Sequence, residues 1–103
     1  LNIVLPVAGL LVATAIMKEA KWHRKLRKRE RKDLPNAPGV YIFYSRWGKV
    51  VHVGHSGNLK ARISPGHIHY QNMYKFDYRE CRSKRAAFRR EMRLQKRLGY
   101  NGR

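Results

Sequence analysis

Cysteine is almost absent from this 103-residue chain; Cys81 stands alone. A single thiol excludes an intramolecular disulfide and any zinc site built on several cysteines. Its expected place is a small buried apolar position, in a reducing compartment or an organelle interior. Acids are the second scarcity. Six Asp and Glu stand against 24 Lys and Arg, a net charge of +18. That excess says little about fold and much about partners, which should be phosphate polymers or anionic headgroups. Internal repeats are missing, which excludes a solenoid. General disorder is excluded by the 43% hydrophobic content. The length suits one compact domain and a short extra element. Because the chain opens on Leu1 and not on methionine, it reads as processed, truncated or partial.

Composition then divides the chain into three zones. Residues 1–17, LNIVLPVAGLLVATAIM, carry no charge. As a helix they would cover roughly 25 Å at ~1.5 Å per residue, a little under a bilayer core. Basic residues follow at once, with Trp22 near the boundary, as in a membrane helix obeying the positive-inside rule. A secretory signal would place its charges first. The expectation is a transmembrane or anchoring helix at 1–17, with the basic part on the cytoplasmic or organelle-matrix side, for instance in a mitochondrion; a helix buried against a partner protein is the alternative. Residues 18–33 contain good helix formers and no Gly or Pro, which predicts a basic helix or linker. It could meet headgroups or nucleic-acid phosphates.

From residue 34 onward the pattern is that of a globular domain. The breaker cluster at 34–39 stops the helix. Residues 40–44 (VYIFY) and 49–53 (KVVHV) read as strands joined by a turn at 45–48, a β-hairpin that Gly54 should end. Ser56 is the expected cap of a short helix over 57–63 whose Leu59 and Ile63 face the sheet. Residues 74–78 alternate, placing three aromatics on one face of a third strand. A helix over 83–98 should present Ala87, Phe88, Met92, Leu94 and Leu98 as its apolar side, with Gly99 as its αL cap.

Two triplets punctuate this domain, Gly39-Val40-Tyr41 and His52-Val53-Gly54, ten residues apart. Behind them stands Ser56-Gly57-Asn58-Leu59-Lys60-Ala61-Arg62. Either triplet alone is a weak signal. Both, with the Asn-Leu-x-x-Arg helix in register, resemble the GIY-YIG nuclease family from Pro38 to about Asn101. The resemblance implies an α/β (α+β) small sandwich, a three-stranded antiparallel sheet with flanking helices. It implies a site formed by Tyr41, His52, Arg62 and Glu91, with Glu91 holding Mg2+ (or Mn2+) and Asn101 in a supporting role. Arg62 would pair with phosphate oxygens. Lys60, Arg62, His67, Arg89 and Arg90 are the candidate nucleic-acid contacts.

The residues themselves support part of this. Glu91 lies four after Ala87 and three before Leu94, on the inward stripe of its helix. A lone carboxylate on an apolar face needs a cation or several donors; a metal or an ion pair with Arg62 would serve. The departure is His52, where the family carries tyrosine. A neutral imidazole accepts a proton near neutral pH more readily than a phenol. It could preserve general-base chemistry, or mark a retired site. A metal site from His52, His67 and His69 has no convincing ligand spacing. Three functions therefore stay open. One is a divalent-metal-dependent endonuclease, membrane-tethered if the helix at 1–17 spans. A second is a catalytically retired GIY-YIG fold serving as a structural or nucleic-acid-binding subunit of a large organellar membrane or ribonucleoprotein complex. A third is a lipid-facing anchor protein whose basic run reads anionic headgroups.

Overall fold

The structure, a computed structural model, describes residues 21–100. The expected apolar helix at 1–17 and Asn101 lie outside the described residues. Among those residues no helix is long and apolar enough to cross a membrane.

Four antiparallel strands form one sheet: β1 (His23–Arg27), β2 (Gly39–Tyr44), β3 (Val50–Ser56) and β4 (Lys75–Glu80), in the order β1-β4-β2-β3. Two α-helices flank it, α1 (Leu59–Arg62) and α2 (Lys84–Leu98). The hairpin β2–β3 forms as its alternation implies, but β3 runs past Gly54 to Ser56. Gly48, with φ +82°, makes its turn. The cap of α1 is Asn58, whose side chain accepts from the Ala61 amide; Ser56 instead bonds the Asn58 backbone. Ser83 caps α2, and Gly99 closes it at φ +71°.

The two sheet faces have separate cores. Tyr41, Phe43, Phe76 and Tyr78 share one face with Leu59 and Ile63 of α1, as the spacing of those two residues predicts. Val40, Ile42 and Val53 share the other with Leu94 of α2. Cys81 packs half-buried at the margin of this second core. The apolar side of α2 is narrower than expected. Ala87 and Leu94 are buried, but Phe88, Met92 and Leu98 are 46%, 40% and 44% exposed. The helix touches the sheet along a line through Ala87 and Leu94, and those three residues flank that line. The loop at 34–38 also fixes α1, whose Leu59 and Lys60 amides donate to the Ala37 and Pro35 carbonyls.

The largest departure from the expected helix over 18–33 falls on its described part, 21–33. From His23 these residues form an edge strand and a 3-10 turn (Lys28–Asp33), not a helix, and they raise the sheet from three strands to four. Helix propensity is a weak prior that tertiary pairing overrides, and here the winning partner is Asp77. Its carboxylate is fully buried. One oxygen accepts from the Lys25 amide at 2.7 Å, the other from the Tyr44 hydroxyl at 2.6 Å. Arg24 lies 3.6 Å away. Lys25 turns to φ +60° at a bulge to aim its amide inward. That conformation costs a non-glycine residue about 1–2 kcal/mol, and the charge-assisted bond offsets it. Leu26 and Trp22 pack on the two cores.

Asp77→Ala should therefore strand a half-buried hydroxyl and the inward-turned Lys25 amide, and lower unfolding stability by about 2–3 kcal/mol. Urea denaturation reads the loss, and hydrogen exchange should show the β1 amides opening before those of β2.

Candidate active site

The site lies along β3, an edge of the sheet, and draws on both faces. A pocket of about 170 Å³ is lined by Tyr41, His52, Val53, Gly54, His55, Arg62, Glu91 and Gln95. The four residues singled out from the sequence, Tyr41, His52, Arg62 and Glu91, thus share one cavity open to solvent.

Two glycines make the approach possible. Tyr41 pairs with Gly54 across β2 and β3. A Cβ on Gly54 would stand 2.5 Å from the Tyr41 hydroxyl and 2.8 Å from His52 Nε2. Real Cβ atoms do not approach this closely, so the absent side chain is what admits the phenol. At Gly39 an added Cβ would collide with Leu59 and stand 2.5 Å from the Arg79 carbonyl. Leu59 belongs to α1, so Gly39 seats the helix that carries Arg62.

The Tyr41 oxygen has two donors. His67 Nδ1 accepts from the His69 amide at 3.0 Å, so the proton of a neutral His67 sits on Nε2. Nε2 donates to the Tyr41 oxygen at 2.8 Å, and Arg62 Nε donates to it at 3.4 Å. The phenolic proton is left free to turn towards the pocket. Burial raises the Tyr41 pKa, partly countered by Arg62, so the hydroxyl stays protonated at neutral pH.

His52 packs against the Tyr41 ring at 5.7 Å and stacks on His69 at 4.5 Å. Its Nδ1 lies 3.2 Å from the Tyr100 hydroxyl. Burial first, then His67, His69 and Arg62, push its pKa down to about 4. His52 is therefore neutral at physiological pH, but a weaker base than free imidazole. His67 is likewise lowered to about 4 by burial and Arg62. His52, His67 and His69 do come together as stacked and edge-on rings. Among the described residues no group of three His, Cys, Asp or Glu is arranged to hold a metal ion.

Glu91 is not paired with Arg62. His55 Nδ1 meets one of its oxygens at 2.6 Å, and Gln95 Nε2 donates to the other at 2.7 Å. Sequence reasoning missed both partners. Gln95 carried a signal, one helical turn after Glu91; His55, on another element, carried none. Of the expected nucleic-acid contacts, Lys60, Arg62 and Arg89 are exposed and Arg90 is half-buried. His67 is 4% exposed, which removes it from any surface; it supports Tyr41 instead.

This fold and this placement can be set beside known proteins. The GIY-YIG N-terminal endonuclease domain of UvrC from Thermotoga maritima, in a point mutant bound to its catalytic divalent cation, superposes with a TM-score of 0.60. Sequence identity is 23%, over 74% of this chain and 94% of that one. The domain has the GIY-YIG fold. A second structure of the Thermotoga maritima UvrC domain, bound to magnesium, superposes on this chain at TM-score 0.59 with 24% identity, over 72% of this chain and 93% of that one. UvrABC system protein C from Neisseria meningitidis serogroup B is 54% identical over 33 residues, 32% of this chain. The match spans 5% of that relative's length. No family model matches the chain.

Gly54→Ala should displace Tyr41, break its bond to His67, and cost about 1–3 kcal/mol as an overpacked substitution; tyrosine resonances in NMR and a urea midpoint report both effects. The histidines set an acid limit. Their folded pKa values, about 4, lie below the unfolded value of 6.5. The unfolded chain then binds more protons, so stability is level above about pH 6.5 and falls as pH drops towards 4. In His67→Gln that slope should be shallower, as urea titrations at neutral and acid pH will show.

Proposed function

We propose that the domain is a divalent-metal-dependent nuclease that cleaves nucleic-acid phosphodiesters. The observation that carries this reading is the convergence of Tyr41, His52, Arg62 and Glu91 on one open pocket. The catalytic cations bound in two structures of the Thermotoga maritima UvrC domain support it.

Glu91 suits magnesium or manganese. A carboxylate offers about four lone-pair sites, and each Glu91 oxygen accepts one described hydrogen bond. Magnesium takes one or two carboxylates and completes its shell with water and substrate phosphate, needing no all-protein cage. When bound, such an ion would polarise the scissile phosphate and stabilise the leaving oxygen.

The chain's own groups do the rest. Arg62 is exposed, and among the described residues only its Nε has a hydrogen-bond partner, so its terminal nitrogens suit a phosphate in bidentate fashion. The free proton of Tyr41 can orient an attacking water or a phosphate oxygen, because the phenol oxygen is already held by two donors. Neutral His52 serves as an acceptor beside it and adds no positive charge against Arg62. Its depressed pKa suits positioning of the water better than storage of its proton.

The test is cleavage of supercoiled plasmid and of structured RNA. With magnesium or manganese the wild-type protein should nick at least one of them, and EDTA should stop it. Glu91→Ala should abolish nicking, and Arg62→Ala should slow it by about 10²- to 10³-fold, with circular dichroism confirming intact folds. Wild-type protein that leaves every substrate whole with both metals overturns the nuclease reading in favour of a domain kept for binding or assembly.

A further inference from the structure

A second surface gathers where β1 ends, β4 begins and β2 hands over to β3. Arg27, Lys75 and Tyr44 lie side by side there in the strand register. None of its residues lines the pocket. Tyr74 is half-buried between two guanidiniums, Arg27 at 4.8 Å and Arg46 at 6.0 Å from its ring centre. Arg46 also lies 5.9 Å from the ring of Trp47. Lys28 sits 4.7 Å over Tyr70. An open hollow of about 270 Å³ runs beside Arg27, Lys28 and Tyr74.

Two features separate this surface from an ordinary solvated basic face. The first is Trp47, at the tip of the β2–β3 turn and 81% exposed. One exposed ring alone needs no explanation, but Trp47 stands beside Arg46 in a row of rings and cations, with its face open for stacking. The second is charge. Arg27, Lys28 and Arg46 form no ion pair with a described carboxylate. The nearby Glu30 is occupied by the Arg27 backbone amide at 2.9 Å. The cations rest on ring faces, which attract them without neutralising them.

Flat rings alternating with unneutralised cations define the ligand. It must be a polyanion that also presents planar apolar faces. Headgroups and acidic peptides supply the charge without the planes. A duplex hides its base faces in the stack. A single strand offers both, its bases to the rings and its phosphates to the cations. We propose that Arg27, Arg46, Trp47 and Tyr74 form a binding platform for single-stranded nucleic acid, separate from the catalytic pocket. This deepens the nuclease reading and rests on it for one consequence: the preferred substrate carries a single-stranded arm next to the cleaved bond.

The test uses the full chain in EDTA, so that binding is read without cleavage and failure of one is distinguishable from failure of the other. Oligothymidylate of about 15 nucleotides should quench tryptophan emission and shield it from acrylamide. Trp47→Ala should remove that signal. Trp47→Ala and the double variant Arg27→Ala/Arg46→Ala should each weaken binding about tenfold, read by anisotropy of a labelled strand. Heparin, a polyanion without bases, should bind without shielding Trp47. The proposal is overturned if heparin or anionic vesicles shield Trp47 as well as oligothymidylate does. It is equally overturned if both variants bind the strand with wild-type affinity.

Discussion

The structure turns on a contact that is possible only because a side chain is missing. Tyr41 and Gly54 face each other across β2 and β3, and the phenol occupies the space where any other residue would place its Cβ. This puts the hydroxyl within reach of His67 behind it and Arg62 beside it. Gly39 performs the same service one layer away, letting Leu59 sink against β2 so that α1 presents Arg62 at the rim. The two triplet glycines are thus steric conditions for the site. Neither has a positive φ, and backbone freedom does not explain either of them.

A buried carboxylate plays the corresponding part for the rest of the sheet. Asp77 holds β1 through the Lys25 amide and β2 through the Tyr44 hydroxyl. Alone and buried it would be costly; three partners make it the clasp that recruits a strongly basic segment into the domain. Burial, and then the hydrogen bond to Asp77, push the Tyr44 pKa well above the usual phenol value, which keeps that donor in place. Asp77 and Glu91 are each held by at least two described partners, Lys25 and Tyr44 for the first, His55 and Gln95 for the second.

The hairpin, Leu59 and Ile63, the capped α2 and the four pocket residues were legible in the sequence. Each rests on local information: alternation, turn residues, a four-residue helical spacing, or triplets at a fixed interval. The misses share a different cause. The strand character of residues 23–27 depends on Asp77, more than fifty residues away in the chain. The His55 partner of Glu91 is also distant, 36 residues away in sequence. The exposure of Phe88, Met92 and Leu98 reflects where α2 meets the sheet, chiefly on β3 and β2, which no helical pattern reveals. The burial of His67 likewise depends on a loop folding back over Tyr41.

The two margins of the sheet are not alike. β1 is short, bulged at Lys25 and lined with Arg24, Lys25 and Arg27. Those features discourage another strand from adding on. β3 has seven residues, three of them valines, and no charge cluster to repel a neighbour. It is also the strand that borders the pocket. Backbone pairing of a second molecule along β3 would therefore crowd the mouth of that pocket. The high positive charge of the chain opposes such an approach.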